Sequence, residues 1–349
     1  MKTREAYYDN AKFILIFLMV FGHFIQSYIE ENKFIFSLYS TIYLFHMPAF
    51  ILISGYFAKG FRKKGYLLKI AKKLILPYLI FQGIYSFYYY FLHEKEALEF
   101  DPFIPEWSLW FLVSLFCWNV MLFLFTKWKP SHGFILSIVL GIVAGYIDVI
   151  DDFLSISRTI VFFPLFLLGY YFKQENFVKL LNVRMKLFSI VLFASIVLIF
   201  YFIPEFNHKW LFGSKPYEDF DVPGMLGGLV RLGVYSLTLV ATLSFFAFVP
   251  PKNYFFTKWG ARSLYVYLLH GFFIKYFRNS ELENLLTEPW HYAVLIVISL
   301  ILIVILASNF INALAQPLIE LRFSTLKTYL LNIGVKYRKH SLQENRFFE

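Results

Sequence analysis

Charge is what this chain has least of. Only 16% of its 349 residues are Asp, Glu, Lys or Arg, against ~25% in a soluble globular protein. Cysteine is nearly missing as well. The one thiol, Cys117, sits in an apolar run, so the chain cannot close an internal disulfide. The sequence has no Walker-type or glycine-rich nucleotide loop, no Cys/His metal-ligand spacing and no internal repeat. These absences exclude a disulfide-stapled domain, a P-loop enzyme and a zinc-type centre. No metal and no bound cofactor is expected.

What is present is apolar. Hydrophobic residues make up 59% of the chain. Runs long enough to cross a bilayer, about 17–25 residues each, recur along its length. The fold expected is all-α, a polytopic membrane protein with about ten transmembrane helices. The ten runs are 11–29, 35–58, 66–92, 107–126, 133–149, 159–173, 186–203, 224–249, 260–278 and 291–315. The sixth is short for a full span, which leaves less tilt, local thinning of the bilayer, or extension by 153–158 as the ways it can cross. If all ten cross, 25 of the 33 Lys and Arg fall on one side. They lie in 1–12, 59–73, 127–132, 173–186, 250–262 and 317–349. The positive-inside rule then makes both termini cytosolic. The net charge of +10 is thus a topology signal, and no nucleic-acid partner is expected. Lys2 and Arg4 begin the first run like a signal peptide, but no small-residue cleavage site follows, so an uncleaved anchor is expected. The chain divides into a membrane-embedded domain, 1–315, and a basic cytosolic tail, 316–349.

Polar residues inside the runs are therefore the informative ones. An ionisable group in hydrocarbon is costly and marks a functional site by default. His23 lies 11 residues beyond Lys12, so about 16 Å along a helix and near the middle of the membrane core. Lys12 and His23 are close to three full turns apart and share a helix face. His46 in the second run and His270 in the ninth fall at a similar depth, ~20 and ~12 Å from the same side. Each has a structural alternative. A neutral imidazole can bond between helices. In Phe45-His46-Met47-Pro48 it can also satisfy a carbonyl freed by the proline.

Outside the core, Arg158 stands at the outer mouth of the sixth run and Arg231 in the outer third of the eighth. Each can hold an anionic or sugar ligand, or simply snorkel. The aromatic segment Trp107-Ser108-Leu109-Trp110-Phe111 suits a membrane-interface belt or a platform for sugars. The densest basic patch is 61–73. Lys69, Lys72 and Lys73 are three to four apart and share a helix face there. That face either sets topology and touches anionic lipid, or grips the phosphates of a cytosolic ligand.

The sequence resembles the bacterial membrane-bound acyltransferase-3 family, in the branch similar to fucose 4-O-acetylases. The resemblance runs through Arg4, Asp9-Asn10-Ala11-Lys12, Val20-Phe21-Gly22-His23, Phe45-His46-Met47-Pro48 and Leu76-Pro77-Tyr78. It continues through Trp107-Ser108-Leu109-Trp110, Arg158-Thr159, Phe162-Phe163-Pro164 and Leu268-Leu269-His270, covering roughly 1–315. It implies acyl transfer, usually acetyl, from a cytosolic acyl-CoA to a hydroxyl of a glycan or lipid-linked sugar. His23 matches the family's catalytic histidine, with Asp9, Lys12, His46 and His270 as possible support. Lys69, Lys72 and Lys73 stand where the family has an arginine-rich pair and would bind the donor. Arg158 and Trp110 would hold the acceptor. No esterase-like domain is expected after the tenth run. The expected setting is the bacterial inner membrane, with membrane lipid and envelope-synthesis proteins as partners. The rival readings are a glycan-precursor transporter or flippase and a non-catalytic partner in an envelope-synthesis complex.

Overall fold

The computed structural model of the chain describes residues 3–94, 96–148, 153–220, 222–286, 288, 290–324 and 326–328. Among these residues it is helical with no strand. That is what a bilayer demands, since a helix satisfies its own backbone groups where no water can. Thirteen α-helices follow in order among the described residues: α1 (Thr3–Ile25), α2 (Lys33–Phe57), α3 (Tyr66–Leu92), α4 (Trp110–Phe125), α5 (Pro130–Val143), α6 (Ile156–Tyr171), α7 (Gln174–Leu180), α8 (Val183–Phe202), α9 (Gly224–Phe248), α10 (Thr257–Gly260), α11 (Ser263–Arg278), α12 (His291–Leu306) and α13 (Asn309–Ile319). Asparagine side chains start two of them. Asn32 accepts from the amides of Phe34 and Ile35, and Asn182 from that of Met185.

Helices lie over all ten expected runs. Among the described residues six stretches are long and apolar enough to cross a membrane: Ala6–Tyr28, Lys33–Gly60, Trp107–Phe125, Phe153–Tyr171, Val183–Phe202 and Gly224–Phe248. The third run, α3, has 27 residues, which is ample length. Its lysines, Gln82 and many tyrosines lower its apolarity instead. Extension of the sixth run is borne out: helical structure covers Phe153–Tyr171, 19 residues. It begins at a kink where Leu154 and Ser155 hold φ of 47° and 53°.

The tenth run differs from expectation. It is a pair of helices, α12 and α13, bent by 66°. Counted as one broken span, the pair makes seven candidates. The reason lies in Ser308, whose hydroxyl accepts from the Ile311 amide and starts a new helix inside the apolar run. Most of the expected tail, 316–349, lies outside the described residues.

The bundle is organised around α2, which packs against α1, α6, α8 and α9. Of its apolar window 78% is buried, against 17% for α8. So α2 is an interior helix, while α8 presents Val183, Leu187, Ile190 and Val191 outward, as a lipid-facing helix would. α2 and α6 touch backbone to backbone. A Cβ on Gly55 would lie 2.0 Å from the Phe166 carbonyl oxygen, and one on Gly169 would lie 2.0 Å from that of Leu52. Small residues allow such close approach where apolar burial gives no driving force between helices.

The start of α1 is anchored to the chain between α9 and α10. The Asn10 amide donates to the carbonyls of Pro250 (2.9 Å) and Lys252 (2.7 Å), and Thr257 donates to Asn10 Oδ1 (2.6 Å). This buried network explains Asn10 of the Asp9–Lys12 segment as a structural residue, and it fixes the helix that carries His23.

Candidate active site

Three helices and one loop bring the sequence-predicted histidines together. His23 lies in the last turn of α1, His46 in the middle of α2 and His270 in the middle of α11. The His23 and His270 rings stack with centroids 5.5 Å apart at 24°. The Trp107 indole covers both, 4.5 Å from His23 and 5.1 Å from His270. Tyr43, one turn before His46, has its hydroxyl 2.8 Å from Nδ1 of His23. Its ring is 4.7 Å from that of His46.

The two outer histidines are held by their own helices. His46 Nδ1 donates to the Ile42 carbonyl at 2.9 Å, as expected of a turn near Pro48. His270 Nδ1 donates to the carbonyls of Tyr267 (2.7 Å) and Val266 (3.1 Å). With Nδ1 carrying the proton, Nε2 of each neutral ring is left with its lone pair. On His270 that atom is buried without a hydrogen-bond partner. His23 is different: it is only half-buried, because it faces a cavity.

That cavity has a volume of about 220 Å³ and is lined by His23, His46, Tyr43, Trp107, Trp110, Arg158 and Tyr267, among others. The predicted acceptor pair is therefore beside the histidine. The Arg158 guanidinium stands 5.3 Å over the Trp110 ring. Arg231 is elsewhere: it is buried and donates to the Trp210 carbonyl at 2.9 Å. It holds the loop between α8 and α9 in place and does not line this cavity.

Trp107 is positioned at some cost. Its φ is 38°, a left-handed value unusual for a bulky residue. The loop before it is pinned by Gln82, which is 1% exposed. The Gln82 amide donates to the carbonyls of Asp101 (2.7 Å) and Ile104 (2.8 Å), and its oxygen accepts from the Glu106 amide (2.9 Å). Tyr267 closes the other side by donating to the Ser108 carbonyl. Gly271 leaves room for the indole, since a Cβ there would lie 2.4 Å from the Tyr85 hydroxyl and 2.7 Å from the Trp107 ring. Arg278 secures the end of α1. Its guanidinium donates to the His23 carbonyl and, at 2.7 Å, to the Gln26 side chain.

The predicted donor lysines form a separate place. Lys69, Lys72 and Lys73 line a cavity of about 800 Å³ with Lys12, Tyr265, Glu320 and Arg322. Lys12 is paired with Asp9 at 2.6 Å. Asp9 and Lys12 thus belong to this basic end and are not in contact with His23. A third cavity of about 200 Å³, lined mainly by apolar side chains, lies between the two. It shares Lys12, Lys73, Ser263 and Leu264 with the basic cavity. It shares Met19, Met47 and Tyr267 with the histidine cavity. Among the described residues no group of three or more His, Cys, Asp or Glu is placed to hold a metal ion.

Residues 5–308 match the acyltransferase domain of the acyltransferase-3 family. The chain belongs to that family. The matched acyltransferase domain contains every candidate residue predicted from the sequence, from Asp9 to His270, and stops short of Glu320 and Arg322. Among curated proteins, nodulation protein NolL of Sinorhizobium fredii is 30% identical over 187 residues, 49% of this chain and 50% of that protein. Nodulation protein NolL of Mesorhizobium japonicum is 38% identical over 84 residues, 22% of each. The match thus spans half or less of the length of these relatives. No solved structure matches this chain.

Sequence reasoning missed Tyr43, Gln26, Arg278 and Tyr267, and it assigned the acceptor role to Trp110 without Trp107. One signal was available. Tyr43 is three residues before His46 and so on the same helix face. The contacts of Arg278 and Tyr267 are between distant segments and carry no local pattern.

Proposed function

We propose that this chain is an integral-membrane O-acyltransferase of the bacterial inner membrane. It moves an acetyl group from cytosolic acetyl-CoA to a hydroxyl of a surface glycan or a lipid-linked sugar. The observation that carries the reading is the series of three adjoining cavities from Lys69, Lys72 and Lys73 to His23. Along α1 the path from Lys12 to His23 is about 16 Å. A CoA donor has the matching order of parts: charged phosphates, a long uncharged arm, and the reactive thioester at its tip. The basic cavity suits the first, the mainly apolar cavity the second, and the histidine cavity the third.

In the direct route, His23 holds its Nδ1 proton toward the Tyr43 oxygen and offers the lone pair of Nε2. That nitrogen takes the proton of the acceptor hydroxyl as its oxygen attacks the thioester carbonyl. The carbon–sulfur bond then breaks, and the departing CoA thiolate receives the proton from the imidazolium. Arg158 and Trp110 hold the sugar at the outer side of the same cavity. In the covalent route, His23 first accepts the acyl group itself and then passes it to the hydroxyl. An acyl-histidine trapped after adding acetyl-CoA without acceptor selects the second route.

The frame for this chemistry is ten spans with both termini cytosolic, supported by the distribution of Lys and Arg. Reporters fused within 59–65 and within 204–223 are expected on opposite faces of the membrane.

The test of the function is mass spectrometry of surface glycans from wild-type cells, a deletion strain and a His23→Ala strain, before and after mild base. Loss of a base-labile acetyl group in both mutants is the expected result. Unchanged acetylation, with glycan export lost in the deletion, would replace this reading with a transporter.

A further inference from the structure

Among the described residues the basic cavity is lined by five cations, and four of them are lysines. Lys12 comes from α1, and Lys69, Lys72 and Lys73 from α3. A lysine meets a phosphate as a point charge, whereas an arginine offers a planar fork that bonds two oxygens at once. The arginine on the wall among the described residues is Arg322, just past the end of α13. It lies beyond residue 308, where the match to the acyltransferase domain stops.

The approach of this segment is built into the fold. α13 packs on α3, α11 and α12. Its last turn is tied to α11 by the Tyr265 hydroxyl, which donates to Glu320 Oε1 at 2.8 Å. The Gln316 amide donates to Glu320 Oε2 at 3.1 Å. Glu320, the carboxylate on the cavity wall, is thus engaged by two neutral donors. Leu321 then turns the chain with φ of 55°, and exposed Arg322 follows on the cavity wall. Lys12 already faces Asp9.

We propose that Arg322 supplies the guanidinium fork that binds a phosphate of the CoA donor, opposite the lysine row of α3. This rests on the acyl-CoA reading above and assigns donor recognition to a part of the chain outside the matched domain. An anionic lipid headgroup presents the same phosphate chemistry, so the test must separate the two.

The full chain is purified into phosphatidylcholine nanodiscs, and binding of CoA and of pantetheine is measured. The variants are Arg322→Ala, Arg322→Lys and Lys72→Ala/Lys73→Ala, each checked for an unchanged melting temperature. Arg322→Ala is expected to weaken CoA about tenfold and to leave pantetheine unaffected, while Arg322→Lys stays about threefold weak because it restores charge without the fork. CoA affinity equal to wild type in Arg322→Ala, with loss in the lysine variant, would overturn the proposal and leave the donor reading intact. Full recovery in Arg322→Lys would reduce the residue to a charge and overturn the fork. No CoA binding by the wild type would remove the donor reading and this proposal together. If the wild type instead retains phosphatidylglycerol from mixed nanodiscs and Arg322→Ala does not, the cavity belongs to a lipid headgroup.

Discussion

The two ends of the polar path are built by opposite rules. The histidines and tyrosines of the histidine cavity are half-buried or buried neutral groups, each tied to a backbone carbonyl or to another ring, and Arg158 stands on the wall beside them over Trp110. His270 is fully buried and His46 is 1% exposed. The basic cavity draws its charge from exposed side chains, Lys69, Lys72, Lys73 and Arg322, with half-buried Lys12 beside them. Burial suits chemistry, where a fixed geometry counts for more than reach. Exposure suits capture, where flexible cations find a soluble polyanion at little desolvation cost. The packed histidines and the lysine cluster are therefore separated in space, and variants at the two ends should fail in different ways.

The largest break in this comparison is His23→Ala. Loss of the base is expected to lower turnover by roughly 10²–10⁴-fold. CoA binding should stay within about twofold, because the basic cavity is untouched. Gly271→Ala comes next. The added Cβ collides with the Tyr85 hydroxyl and the Trp107 ring, and a shift of ~1 Å in the indole is expected to cost about 10²-fold in kcat. Steady-state kinetics with donor saturating would show it. Lys72→Ala/Lys73→Ala should instead raise the donor KM about tenfold and spare kcat, with the difference shrinking at high salt. A kcat loss in that variant would mean the two ends are not separate. The smallest effect is on stability. His270→Phe removes a buried Nε2 that has no partner. Its melting temperature should hold or rise slightly, by at most ~1 kcal/mol of stability, since an unmatched polar group is lost along with the Nδ1 bonds. Activity should still fall, because the ring that stacks on His23 is altered.

The comparison also marks what the sequence could reveal. The helical class was legible, because apolar runs of membrane length need no tertiary information. The cost of His23, His46 and His270 in hydrocarbon made them candidates one at a time, and the structure brings all three to one place. Their shared depth was the visible clue. What the sequence did not carry was which residues of different segments meet. Asp9 and Lys12 lie on the helix of His23 but belong to the other end of the path. Trp107 read as an interface aromatic, and only the loop pinned by Gln82 turns it over the histidines. The break at Ser308 was hidden for another reason. A capping serine inside an apolar run is invisible to hydropathy, yet it bends the last helix pair by 66°. That bend precedes the segment that carries Glu320 and Arg322 to the basic cavity.

The central claim is that His23 performs chemistry on a donor captured at the far end of the path. It is tested most directly with purified protein in nanodiscs, supplied with acetyl-CoA and the surface-glycan fraction of the cells. Release of the CoA thiol and CoA affinity are read on the same samples, for wild type and His23→Ala. The account predicts equal CoA affinity and release abolished in the variant. Release persisting in His23→Ala, or lost only in step with CoA affinity, would contradict it.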